Sequence, residues 1–66
     1  MPDVITLMRQ NLDWLRRSRE EWTVAHEQAQ QGGHVASTDL AVRQIAAFDY
    51  LIKRAEDFLA QHDRSA

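Results

Sequence analysis

The two glycines of this 66-residue chain are adjacent, at Gly32 and Gly33, and its one proline is Pro2. Everything between Pro2 and the glycines, and everything after them, is free of the two residues that interrupt helices. Apolar residues recur on both sides at steps of three and four, the spacing that puts side chains on one helical face. The pattern predicts an all-α chain of two helices, about residues 3–31 and 38–63. Pro2 and Asp3 make a good helix start, and the glycine pair ends the first helix because glycine enters the left-handed region without a Cβ clash. Ser37 or Thr38 is expected to cap the second helix, with Asp39 in its first turn at the positive end of the dipole. Each helix would run about 37–43 Å at ~1.5 Å per residue. A connection this short implies an antiparallel hairpin forming a single domain over residues 1–66.

The apolar stripes say how such a hairpin can pack. Helix 1 carries Ile5, Met8, Leu12, Leu15, Trp22 and Ala29, widened by Val4, Leu7 and Trp14 and interrupted by Arg19 and His26. Helix 2 carries two seams: Ala41, Ile45, Phe48, Ile52, Ala55 and Leu59, and beside them Leu40, Ala47, Leu51 and Phe58. A helix with two seams expects two neighbours, and a lone hairpin supplies one. The second seam would face water as an apolar strip, which marks an interaction surface. Two hairpins packed face to face as a dimeric four-helix bundle is the economical solution. The expected packing and dimer residues are Leu12, Leu15, Trp22, Ile45, Phe48, Leu51, Ile52 and Phe58.

Size favours the same solution. Below roughly 70–80 residues a single core rarely supplies more than ~3–5 kcal/mol, and small domains add disulfides, metals or self-association. There is no cysteine, so disulfides and thiolate metal sites are excluded. Hydrophobic content of 44% against 27% charged residues fits a folded chain rather than a disordered one. Ten acidic residues outnumber eight basic ones, which disfavours nucleic acid as a partner. No stretch approaches the ~20 apolar residues of a membrane span, and the N-terminal residues lack the basic-then-apolar pattern of a secretory signal. A cytoplasmic protein with no membrane partner is the expectation.

The run of residues 15–22, Leu-Arg-Arg-Ser-Arg-Glu-Glu-Trp, is the first place to seek function. Arg16 and Arg17 fall opposite the stripe, four residues before Glu20 and Glu21, and Asp13 precedes Arg17 by four. Such neighbours form weak surface pairs worth ~0.2–0.5 kcal/mol each. Arg19 instead points to the packing side. In a hairpin turning near residue 34 it falls opposite Asp49, its first candidate partner, with Gln44 next. A pair there contributes little net stability but can set register and partner choice.

His26 and His62 fall on packing faces near opposite ends of the hairpin. Neither a His-Glu-x-x-His nor a Glu-x-x-His spacing is present, so no metal is expected. His26 could make association pH-dependent if it is buried at the dimer seam. Ser18 and Ser37 have no base and orienting group beside them, no glycine-rich phosphate loop exists, and a hairpin has no substrate-sized pocket. The sequence therefore points to no enzyme and no cofactor. Trp14, at the edge of the stripe, and Tyr50, well outside the seams, are candidate partner contacts along with Arg19, His26 and Gln44, since exposed aromatics are enriched at binding hot spots. Val24 on the polar face of helix 1 is a weaker signal of the same kind. The expected function is a small protein–protein interaction module (a regulator, inhibitor or adaptor) acting as a homodimer on a protein target that the residues do not identify. A nucleic-acid-binding helical dimer is the first alternative. A dimerisation or assembly subunit of a larger complex is the second.

Overall fold

The computed structural model describes residues 3–65, with side chains through His62. Two α-helices account for nearly all of it: α1, Val4–Gln31, and α2, Val35–Ser65. Pro2, the expected partner of Asp3 at the helix start, lies outside the described residues.

Asp3 is the N-cap of α1. Its backbone is extended and its carboxylate accepts the Thr6 backbone N–H at 2.7 Å, satisfying one of the donors that the first turn leaves unpaired. The bonds from Thr6 hold the Asp3 carboxyl below its ordinary 3.8, because they favour the charged form.

The C-terminus of α1 closes as a Schellman motif. The His34 N–H donates to the Ala29 carbonyl at 2.9 Å and the Gly33 N–H to the Gln30 carbonyl at 3.2 Å. Gly33 makes this possible with φ of +70°, whereas Gly32 remains right-handed. The His34 ring folds back over Gly32, where a Cβ would come within 2.7 Å of it.

This closure moves the start of α2. The helix begins at Val35 rather than at residue 38, with the His34 carbonyl already accepting the Thr38 N–H at 2.9 Å. Ser37 is therefore a helical residue and not a cap. Thr38 turns its hydroxyl back to the same His34 carbonyl at 2.8 Å. Asp39 falls beyond the first turn and pairs with Arg43 at 3.1 Å. The Schellman turn reverses the chain in so few residues that no linker remains for a side-chain cap to terminate.

The helices pack side by side and antiparallel, since Arg16 meets Glu56 and, closer to the glycines on both helices, Arg19 meets Asp49. The core is a single file. Leu12, Leu15 and Ala55 form its centre, with Met8, Phe48, Ile52 and Leu59 packed against them. Ala29 and Ala41, the latter 1% exposed, bring the helices close at the turn end. Among the described residues no large side chain is fully buried, and Trp22 and Ile45 are only half-buried. The hairpin measures 50 × 20 × 12 Å, and its radius of gyration of 15.1 Å exceeds the ~11 Å that compact chains of this length adopt. A slab 12 Å thick has no interior beyond one layer of side chains.

Two expectations test this framework. Leu15→Ala, at a side chain 4% exposed, should destabilise by about 2–4 kcal/mol and Gly33→Ala by about 1–2 kcal/mol, both read by chemical denaturation. Because Asp3 titrates lower in the folded chain than unfolded, its stabilising effect is present above pH ~4 and fades as pH falls through the folded value. Thermal melts of wild type and Asp3→Asn should therefore diverge in pH dependence only below about pH 4.

Candidate functional site

The two flanks of the helix pair differ in chemistry. Taking ~100° per residue, Arg16 on α1 and Asp49 and Glu56 on α2 all lie on one flank of the seam. Leu7 and Trp14 on α1, with Leu40, Ala47, Leu51 and Phe58 on α2, all lie on the other.

The first flank is closed by ion pairs. The Arg19 guanidinium engages Asp49 through both Nε and Nη2, the second contact at 3.5 Å, and Arg16 reaches Glu56 at 3.2 Å. The Asp49 hydrogen bond, and then its charge, raise the Arg19 pKa above its ordinary value. Arg19–Asp49 is the pair that hairpin register predicts. Arg16 departs from expectation, because it crosses to Glu56 instead of pairing with Glu20 on its own helix. Among the described residues no ion pair joins Arg17 to Asp13 or Glu21. The antiparallel pairing brings the Glu56 carboxylate within reach of the long Arg16 side chain.

The second flank is open and apolar. Trp14 is 54% exposed and Leu51 45%, with Leu7 and Leu40 about half exposed. A shallow groove of about 400 Å³ runs between the helices here, lined by Met8, Asn11, Trp14, Leu15, Leu51, Arg54, Ala55 and Phe58. Trp14 is held edge-on to Phe48, ring centroids 6.1 Å apart and planes at 67°, so its indole is fixed by packing even though half of it faces water. At the rim Arg54 lies over the Tyr50 ring and donates to its hydroxyl at 3.2 Å.

The remaining candidates scatter. Leu12 and Leu15 are buried in the seam, and Phe48 and Ile52 pack against it. Leu51 and Phe58 belong to the open flank and not to the hairpin core. His26 and Gln44 are half-buried along the seam. Tyr50 is exposed and Val24 half exposed on the far face of α1. His62 is exposed rather than packed in the seam, although its ring lies tilted against Phe58 with centroids 4.2 Å apart.

Sequence reasoning missed Arg54 and Asn11 as groove residues. Both sit between apolar positions, and only their place on a shared flank signals the role. It also missed Val35 and Val42, which stay largely exposed beside a second shallow depression at the turn. No group of three or more His, Cys, Asp or Glu among the described residues could hold a metal ion, and no helix is long and apolar enough to cross a membrane. Comparisons of the chain with protein-family models, with curated proteins and with solved structures find no match.

The closed flank yields a direct test. A double-mutant cycle on Arg16→Ala and Glu56→Ala should give a coupling of about 0.2–1 kcal/mol that shrinks between 0.05 and 1 M salt (~13 Å and ~3 Å screening lengths), measured by denaturation.

Proposed function

We propose that this chain is a small non-enzymatic interaction module that works as a homodimer, two hairpins packed through their open flanks into a four-helix bundle. The observation that carries the reading is the second seam of α2. Leu40, Ala47 and Leu51 remain exposed beside Trp14 and Leu7 after the hairpin has closed. An apolar strip along a slab with a single-layer core has more to gain from a second layer than from water. The broad face, 50 × 20 Å, can supply the roughly 800 Å² per partner that stable interfaces bury.

In the dimer, the faces left outside carry Tyr50, Val24 and the Val35–Val42 patch, and these are the surfaces offered to a protein target. The module would act there as a regulator, inhibitor or adaptor, or as the dimerising subunit of an assembly. The arginine run offers little to a polyanion, because Arg16 and Arg19 already face carboxylates on α2.

Sedimentation velocity over a dilution series should show a dimer. Leu51→Asp should weaken its association by about tenfold or more, since a charge would enter an apolar seam at a position exposed in the hairpin. Val24→Asp, on the opposite face of α1, should leave association unchanged. Phe48→Asp should unfold the hairpin itself, because Phe48 packs into its core. A folded monomer at every concentration would remove the reading.

A further inference from the structure

The open flank changes character along its length, and the change says how a second copy sits on it. On α1 it carries Leu7 and Trp14, then Glu21 and Gln28, which repeat at the spacing of one helical face. On α2 it carries Phe58 and Leu51, then Gln44, with Ala47 and Leu40 alongside. The half near the chain termini is therefore apolar and holds the groove. The half near the turn is mixed, with Glu21 and Gln28 exposed and Gln44 half-buried beside Leu40.

From this division we infer that the two copies lie with their turns at the same end, about a two-fold axis parallel to the hairpin's long dimension. α1 of each copy then packs on α2 of the other along the whole flank. The inference rests on the homodimer proposed above and specifies its geometry. Such a rotation keeps every residue at its own level, so contacts between copies repeat the register inside each hairpin. The turn sets that register, together with Arg19 beside Asp49 and Arg16 beside Glu56. Trp14 stands level with Leu51 and Arg54, which share its groove, so it meets the second copy's Leu51 and the stem of its Arg54. Glu21 stands level with Gln44 and Ala47, and its carboxylate can accept from the second copy's Gln44 amide. Apolar half meets apolar half, and polar half meets polar half.

Turns at opposite ends lose this match. An axis through the middle of the hairpin sets Trp14 against Glu21 and Phe58 against Gln44, which strips water from polar groups and gives them no partner. An axis through the groove keeps apolar surface on apolar surface. It also stacks α2 on α2 and brings the Arg54 side chains of the two copies face to face, where like charges oppose docking. The turn half, Leu40 included, would then stay in water, and much of the 50 × 20 Å face would go unused. With the turns together, Arg54 keeps its hydrogen bond to Tyr50 and faces the second copy's Asn11 and Trp14 instead.

The chain has no cysteine, so single cysteines carry spin labels cleanly. Gln10 and Gln31 are exposed near the two ends of α1. Pulsed electron spin resonance on dimers of Gln10→Cys and of Gln31→Cys should give separations of about 20–30 Å that agree within ~5 Å, set by two helix widths and the label linkers. A Gln31 separation of about 40 Å or more, with a clearly shorter one at Gln10, would overturn the inference and leave the homodimer standing. A monomer in sedimentation of the labelled protein would defeat both. Leu40→Asp checks the overlap at the turn end, and should weaken association about tenfold because its charge would enter the interface. A dimer of unchanged affinity would overturn the full-length overlap.

Discussion

Two helices lying side by side can each hide one stripe, and the apolar residues of this chain cover more than that. From this mismatch most of the structure follows. The shared seam takes Leu12, Leu15 and Ala55 out of water and packs Phe48 and Ile52 around them. The slab is then 12 Å thick and the core is complete. Apolar surface beyond the seam has to stay exposed, and one flank carries Trp14, Leu51, Leu7 and Leu40 together. Association through that flank is the step that would give the hairpin a second core layer.

Charge and apolar surface are segregated by the same geometry. Arg19–Asp49 and Arg16–Glu56 span the flank opposite the groove, where solvent screens them and each contributes modestly. Their placement matters more than their strength. They bridge the two helices on that flank, whereas at the rim of the open flank Arg54 is engaged with Tyr50. An unpaired charge in the middle of that groove would oppose docking of any apolar surface.

Much of this was legible in the residues. The lone glycine pair locates the bend, and a bend near residue 34 makes Asp49 the residue across from Arg19. The double seam of α2 announces a surface that one neighbour cannot cover. What failed was local. Ser37 and Thr38 look like caps, yet the Schellman closure through Gly33 starts α2 at Val35 and leaves both inside the helix. Arg16 has a carboxylate four residues away on its own helix and another across the seam, and spacing cannot rank the two.

The sequence by itself determined two amphipathic helices, where the chain reverses, and that α2 carries more apolar surface than a hairpin can bury, because helical periodicity and glycine's access to positive φ are local properties. The tertiary structure alone decided which flank is zippered by ion pairs and which is left open as a groove. That choice depends on how the two helices rotate about their own axes when they meet, a property of side-chain packing between segments that no spacing within either one contains.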